Sequence, residues 1–419
     1  MRRIIEIAQA IEGYDPDALH VDKARAAIRA CLAPVRELER VPVREALGRV
    51  LAEEIVPSID VPGHDNTAMD GYAVRFADLA ADITVLEEIG AALAGRTFAG
   101  TVGPGQCVRV TTGAVMPAGT DTVVVQEVVK AQGGKVTIPP GQKARQNVRY
   151  AGEDLKKGVP VLSPGRPLGA ADIGLIASLG IGEAAVRRRV RVAFFCTGDE
   201  LASIGAPLKE GEVYDSNRYT LHGMLARLGV EMRDLGVVRD DPAALEAAFR
   251  DAAAWADAIV TTGGVSVGEA DFVKPMMAQL GEALFWRIAM RPGRPMAFGR
   301  IGEAFLFGLP GNPVAVMVTF YQFVREALLL LAGRAGDCAP PLLEARAAEA
   351  LRKVPGRTEY QRGVLFREGG ELKVKTTGQQ GSGVLRSMSE ANCFIVLEHA
   401  RGRVQAGESV QVQPFEGLV

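Results

Sequence analysis

The chain has 419 residues, too many for one ordinary hydrophobic core, and its length alone points to roughly two to four domains. Hydrophobic residues make up 48% and charged residues 23%, the balance of a soluble globular protein, and a net charge of -2 gives no global attraction to nucleic acid, so any anion site has to be local. The five cysteines, Cys31, Cys107, Cys196, Cys338 and Cys393, form no C-x-x-C pair and the four histidines have no zinc spacing, which favours a reducing cytosol and argues against a structural zinc.

Arg2 and Arg3 followed by Ile4 and Ile5 open like a signal peptide, but Glu6 interrupts the apolar run and no small-residue cleavage site follows, so secretion is not expected. Beyond that, the stretch Met1 to Asp17 carries no motif that can be interpreted. From Ala18 to Leu32 apolar residues recur at helical spacing, and a second helix is predicted over Val43 to Ala52, ahead of Pro57. Between Pro57 and Pro160 glycines and prolines punctuate short β-branched runs, Cys107 to Val110, Thr122 to Val129 and Lys135 to Ile138, which predicts a β-rich region. Gly169 to Leu179 reads as a helix. The basic patch Arg187 to Arg191 reads as a solvated linker, with a boundary near residue 185.

From Val190 the pattern alternates regularly. Strands are predicted over Val190 to Cys196, Val230 to Val238, Ala258 to Thr261, Ala283 to Ala289 and Ala304 to Phe307. Helices are predicted over Asn217 to Leu228, Pro242 to Trp255, Phe272 to Leu280 and Val314 to Leu331. This describes a doubly wound α/β domain. Asp241-Pro242 suits an N-cap followed by proline at the first helical position. The purely aliphatic stretch Leu328 to Leu331 is far shorter than the ~20 residues of a membrane helix and reads as a buried helix end. Beyond Pro340 glycines mark frequent reversals, so a small β-barrel or sandwich closes the chain.

Ligands of open parallel sheets bind outside the carboxyl ends of the strands, and here those loops hold the unusual residues. They are Thr197-Gly198-Asp199-Glu200, Asp240-Asp241, Gly263-Gly264, Arg291-Pro292-Gly293-Arg294-Pro295 and Leu309-Pro310-Gly311-Asn312-Pro313. Together they offer acids for a cation, glycines for close approach of a phosphate and arginines for an oxyanion. The stretch Asp257 to Asp271, DAIVTTGGVSVGEAD, is the centre of this pattern. It is not a Walker A motif, lacking Gly-Lys-Ser/Thr, nor a G-x-G-x-x-G dinucleotide fingerprint. Taken singly, each loop has a plain reading: a Gly-Gly turn, a helix cap at Asp240-Asp241, Pro-Gly punctuation.

Thr261 to Gly268 with Asp271, joined to Gly308-Leu309-Pro310-Gly311-Asn312-Pro313, resembles the molybdopterin-binding domain shared by MogA-like and MoeA-like proteins. Asp65 to Ala73 (DNTAMDGYA), Arg109 to Ala114, FFCTGDEL from Phe194 to Leu201, and Tyr214 to Arg218 are similar to signatures of MoeA proteins and gephyrin E domains. Gly378 to Ser382 and Asn392 to Ile395 fit the same family's last domain, so the resemblance runs from about residue 40 to the C-terminus.

That resemblance implies an α/β multidomain protein: a discontinuous α+β domain (1–57 and 145–184), an inserted β-rich domain (58–144), a doubly wound MogA-like α/β domain (185–335) and a C-terminal β-barrel (340–419). It implies a cytoplasmic, homodimeric, Mg²⁺-assisted enzyme that inserts molybdate into adenylylated molybdopterin with release of AMP, in transient contact with the adenylylating enzyme and with no nucleic acid or membrane. The alternatives are the adenylyltransferase itself and a gephyrin-like scaffold.

By the same resemblance Glu200, Asp240 and Asp271 are the acids for catalysis and Mg²⁺. Asp65 joins them as catalytic, reaching with Thr112 into a neighbouring subunit's cleft. Gly263, Gly264, Ser266, Gly268, Pro310, Asn312 and Pro313 bind the pterin nucleotide with Thr112. Arg291, Arg294, Arg362 and Ser382 bind molybdate. Many relatives carry lysine where this chain has Arg291 and Arg294, which keeps the charge and changes the hydrogen-bond geometry.

Overall fold

The computed structural model describes residues 3–264 and 273–415. The chain divides into two compact units, one of Met1–Glu39, Gly48–Val50 and Val186–Val419, the other of Arg40–Leu47 and Leu51–Ala185. The larger unit begins with helix α1 (Ile4–Gln9), which the sequence does not signal, and α2 (Val21–Cys31), which buries Val21, Ala24, Ala27, Ile28 and Cys31 along one face. That i, i+3, i+4 spacing makes α2 a helix.

The smaller unit is built on a six-stranded sheet of β1 (Gly71–Val74), β2 (Thr84–Ala92), β3 (Gln106–Val110), β4 (Thr122–Val125), β5 (Lys130–Gln132) and β6 (Lys135–Ile138), in the order β4-β1-β3-β2-β6-β5. Both faces are buried: Tyr72, Val74, Leu86, Cys107 and Val124 pack on one, Ala73, Val108, Val110 and Val123 on the other. Two-sided burial explains why Val123-Val124 reads as a continuous apolar run rather than an alternation. Helix α3 (Ala170–Ser178) follows, its first turn fastened by Asp172, whose carboxylate accepts from Gly169 N at 2.9 Å.

The helix predicted over Val43 to Ala52 is absent. Only a single 3₁₀ turn forms, Val43–Glu45, because Gly48 takes a left-handed φ of +73° that ends any helix there. The strand predicted over Thr122 to Val129 likewise stops at Val125, where a 3₁₀ turn, Gln126–Val128, takes over.

The centre of the larger unit is a second six-stranded sheet. Its elements are β7 (Arg191–Thr197), α4 (Asn217–Leu228), β8 (Glu231–Val238), α5 (Pro242–Trp255), β9 (Ala258–Thr262), α6 (Val273–Leu280) and β10 (Gly281–Arg287). They continue with β11 (Met290–Arg291), which lies outside this sheet, β12 (Pro295–Ile301) and β13 (Ala304–Leu309). Strand order is β8-β7-β9-β13-β12-β10, with β8, β7, β9 and β13 mutually parallel and β12 antiparallel to both neighbours.

The sheet is therefore mixed, four parallel strands followed by the antiparallel β12 and then β10. β12 is invisible to a pattern reading because Pro295 and Gly299 punctuate it, yet both have a place there. Pro295 begins the strand, and Gly299 leaves room for Glu282 O, which a Cβ would approach to 2.2 Å. Successive residues again feed opposite cores: Phe194, Val260, Trp286, Phe298 and Phe307 on one side, Phe195, Ile259, Leu306 and Phe249 on the other. Each such fully buried side chain stabilises the fold by about 2 kcal/mol.

Helix α7 (Pro313–Thr319), a π-turn (Phe320–Val324) and α8 (Arg325–Leu331) form one continuous helical run. Pro313–Leu331 is long and apolar enough to cross a membrane, but 83% of its most apolar window is buried inside the molecule, as expected of a core helix. The C-terminal strands are β14 (Leu343–Ala347), β15 (Thr358–Glu368), β16 (Glu371–Thr376), β17 (Cys393–Leu397) and β18 (Ser409–Pro414). They pair as β15-β16-β14-β18-β17, and β17 returns to β15, so the sheet closes into a five-stranded barrel and leaves no edge. β11 joins the barrel by pairing Met290 with Thr358 and Arg291 with Glu359.

Candidate functional site

A cleft of about 900 Å³ opens at the carboxyl ends of the parallel strands, where the loops after β7, β9 and β13 meet the Arg291–Pro295 loop after β10 and the Gln380–Ser382 loop of the barrel. β10 contributes to the same edge because two antiparallel reversals return it to the direction of β13.

The glycine loop is tightly seated. Gly263 has φ +90°, and a Cβ there would come within 2.4 Å of Thr197 O. Its N–H donates to Leu309 O at 3.2 Å, so the loop after β9 is tied to the end of β13. Asn217, at the first position of α4, braces the same pair: its Nδ2 donates to Gly311 O at 2.7 Å and to Thr262 Oγ1 at 3.4 Å. Asp215 is buried at 1% exposure and fixes this helix start by accepting from Arg218 N and Nε at 3.1 and 3.0 Å. Sequence reading quoted Tyr214 to Arg218 as a motif but gave these residues no task; their signal was the polar cluster immediately before a helix. Pro310, Asn312, Pro313 and Gly264 also line the cleft. Ser266, Gly268 and Asp271 lie outside the described residues.

One rim is acidic. Asp199 and Glu200 are exposed, Asp240 is half-buried, and Asp240 N donates to Asp199 Oδ1 at 3.4 Å. Burial, reinforced by the negative charges of Asp199 and Glu200, pushes the Asp240 carboxyl above the usual aspartate range. The helix cap is Asp241, whose Oδ2 accepts from Ala244 N at 2.9 Å, so Asp240 is not needed for that role. Among the described residues no group of three or more His, Cys, Asp or Glu is close enough to enclose a metal ion. The donor chemistry nevertheless suits a hard cation: converging carboxylates repel one another unless a positive charge joins them.

The other rim is basic. Arg291 and Arg294 are exposed to the cleft, with Arg291 Nη1 3.9 Å from Glu359 Oε1. Arg357, which sequence reading passed over, lines it too, as does Ser382, whose carbonyl accepts from Val314 N at 3.1 Å. Arg362 lies elsewhere. It is 1% exposed and lines an adjoining cleft of about 640 Å³ that shares Arg291, Pro292 and Gln380 with the main one. Its guanidinium donates to Ser387 Oγ at 3.1 Å, Gly381 O at 3.2 Å and Tyr360 O at 3.4 Å. Burial among these neutral partners, with Arg291 nearby, lowers its pKa to about 10.

Asp65 and Thr112 belong to the smaller unit. Asp65 Oδ1 accepts from Ala151 N at 2.9 Å, while Thr112 donates to Asp70 Oδ1 through N at 2.7 Å and Oγ1 at 2.8 Å. Those two bonds hold the exposed Asp70 carboxyl below the usual range. Asp70, unassigned from sequence inside DNTAMDGYA, is thus the acid Thr112 presents.

An α/β sheet with anion-suited loops at its strand ends, followed by a closed barrel, defines a multidomain α/β protein with an anion-suited cleft. The chain matches, in order, the MoeA N-terminal region (domain I and II) over residues 19–180, the probable molybdopterin binding domain over 193–329 and the MoeA C-terminal region (domain IV) over 344–415. It is 43% identical to the molybdopterin molybdenumtransferase of Haemophilus influenzae across 96% of this chain and 100% of that one, and 32% identical to Dictyostelium discoideum gephyrin across 90% of this chain and 59% of that one. The crystal structure of the molybdopterin biosynthesis moeA protein from Pyrococcus horikoshii OT3 superimposes with a TM-score of 0.83, at 29% identity, covering 95% of this chain and 100% of that one. The chain belongs to the MoeA family of molybdopterin molybdenumtransferases.

Proposed function

We propose that this protein is a transferase of molybdenum cofactor biosynthesis that inserts molybdate into adenylylated molybdopterin and releases AMP. The observation that carries the reading is the single cleft with opposite rims: carboxylates at Glu200 and Asp240, guanidinium groups at Arg291 and Arg294, and the Gly263 turn between them. The glycine loop and the Pro310–Pro313 loop bind the pterin nucleotide through backbone groups that no side chain obstructs. Arg291 and Arg294, with Ser382, hold the tetrahedral dianion.

Glu200 and Asp240, with Asp271 as the third acid of the sequence motif, would hold Mg²⁺. Bound there, it would supply positive charge to offset that of the phosphates. In our reading the enzyme is a cytoplasmic homodimer in which Asp65, Asp70 and Thr112 complete a neighbouring subunit's cleft, and it meets the adenylylating enzyme transiently.

The test is to incubate the purified protein with adenylylated molybdopterin, Mg²⁺ and molybdate. Molybdate-dependent AMP release is expected. Its absence refutes insertion, and adenylylation of molybdopterin from ATP would move the assignment to the preceding step.

A further inference from the structure

The segment Tyr14–Leu19 runs beside the end of β10, the edge strand of the central sheet. Arg287 N donates to Pro16 O at 2.7 Å, Leu19 N to Arg287 O at 3.1 Å and Ala289 N to Leu19 O at 2.8 Å, making a parallel bridge between Leu19 and Ile288. Side chains reinforce the contact. Trp286 Nε1 donates to Tyr14 Oη at 2.9 Å, and Leu19, 1% exposed, shares a core with Trp286 and Ile288. Upstream, the Glu282 carboxylate accepts from Ile4 N and Arg3 Nε, each at 2.8 Å, fastening the start of α1 to the same strand.

What the segment borders gives it a task. Ile288 N donates to Arg294 O at 2.7 Å, closing the loop that presents Arg291 and Arg294. Asp17 O accepts from Arg294 Nη2 at 3.5 Å, and the Asp17 carboxylate lies 3.6 Å from Arg287 Nη1. The loop's other supports are the barrel, through Thr358 N to Ala289 O at 2.9 Å, and α7, where a Cβ on Gly293 (φ +92°) would come within 2.5 Å of Thr319 Oγ1. Without Pro16 and Leu19, the backbone groups at 287 and 289 would be left unpaired at a sheet edge, and the chain leaving β10 would lose its direction.

We propose that Tyr14–Leu19 is a positioning strap for the oxyanion loop: its backbone fixes where the chain leaves β10, and through that the placement of Arg291 and Arg294. The strap touches no substrate; it acts through those arginines, and so rests on their reading as the molybdate side of the cleft. Charge-assisted hydrogen bonds to a compact dianion weaken steeply with misalignment, so a displaced loop loses the anion first.

Leu19→Pro removes one N–H of the bridge, and Tyr14→Phe removes only the acceptor for Trp286. Three measurements on the full chain test the strap: amide hydrogen exchange across residues 287–294, molybdate binding by equilibrium dialysis, and adenylylated molybdopterin binding. For Leu19→Pro, exchange at 288–290 should quicken and molybdate affinity fall about tenfold, with pterin-nucleotide affinity changed by less than about twofold. Tyr14→Phe should move the same readouts less, and it decides alone if Leu19→Pro does not fold.

Faster exchange with unchanged molybdate affinity overturns the proposal, as does equal loss of both ligands. Dialysis needs no turnover. A wild-type protein that binds molybdate but releases no AMP therefore fails the proposed function while the strap is still judged; one that binds no molybdate overturns the strap's role.

Discussion

The two rims of the cleft are assembled in different ways. The acids come from neighbouring parallel strands: Glu200 follows β7 and Asp240 follows β8, which pair directly, so two adjacent loops suffice. The basic rim draws on distant chain. Its loop leaves an edge strand, pairs with the barrel through Arg291 and Glu359, and is flanked by Arg357 and the Gln380–Ser382 loop. A rim built locally is robust in shape and sensitive in charge; a rim built from three separate elements is sensitive in shape.

Asp240→Asn should therefore give the largest effect. Removing one carboxylate from the pair proposed to hold the cation, without disturbing the Asp241 cap, is expected to lower AMP release about a thousandfold at saturating molybdate, while the fold stays intact by circular dichroism. Activity within tenfold of wild type would show that the acidic rim holds no catalytic cation. On the basic side, Arg362→Ala should act on shape. Its guanidinium ties β15 to Ser387 and Gly381 from a side chain only 1% exposed, so truncation removes those bonds, leaves a cavity and should cost about 3 kcal/mol in urea unfolding. Loss of molybdate binding with unchanged stability would instead return Arg362 to the ligand.

Much of this division was legible in the sequence. Loops that end parallel strands meet at one edge whatever the rest of the chain does, so Glu200, Asp240, Gly263 and Pro310 could be grouped before any coordinates. Arg362 could not be placed in that way. Its burial follows from the closing pair β15–β17, which joins residues separated by a long stretch of chain and depends on barrel registration. β12 was missed because Pro295 and Gly299 look like loop punctuation, although their suitability comes from neighbours absent from the local sequence. Tyr14–Asp17 showed nothing, and Ala18 and Leu19 read as helix although α2 starts at Val21, because most of the segment's contacts are made by backbone atoms, which any sequence supplies.

Arg294→Ala separates charge from shape on the basic rim. Arg294 is exposed and its side-chain bond to Asp17 O is long, so stability should hardly change. The molybdate concentration for half-maximal AMP release should rise about tenfold, with pterin-nucleotide binding spared. Parallel loss of both ligands would mean that the two rims form one inseparable subsite.

The smallest effect returns to Asp240, where charge opposes stability. Its raised pKa means that the folded protein holds the proton more tightly than the unfolded chain, so the stability this group contributes is present at low pH and is lost as pH rises through the raised value. At neutral pH, without a divalent cation, Asp240→Asn should thus be more stable than wild type. Solvent screening of a half-buried carboxylate keeps the gain to about 0.5 kcal/mol. The gap should close as pH falls below the ordinary aspartate value of about 3.9, where the wild-type group is neutral in both states. Added Mg²⁺ should narrow it from the other side, by stabilising wild type alone. Thermal melts of the two proteins across pH, with and without Mg²⁺, test both changes. A gap that ignores both pH and Mg²⁺ would mean that the carboxylates of this rim do not share a charge.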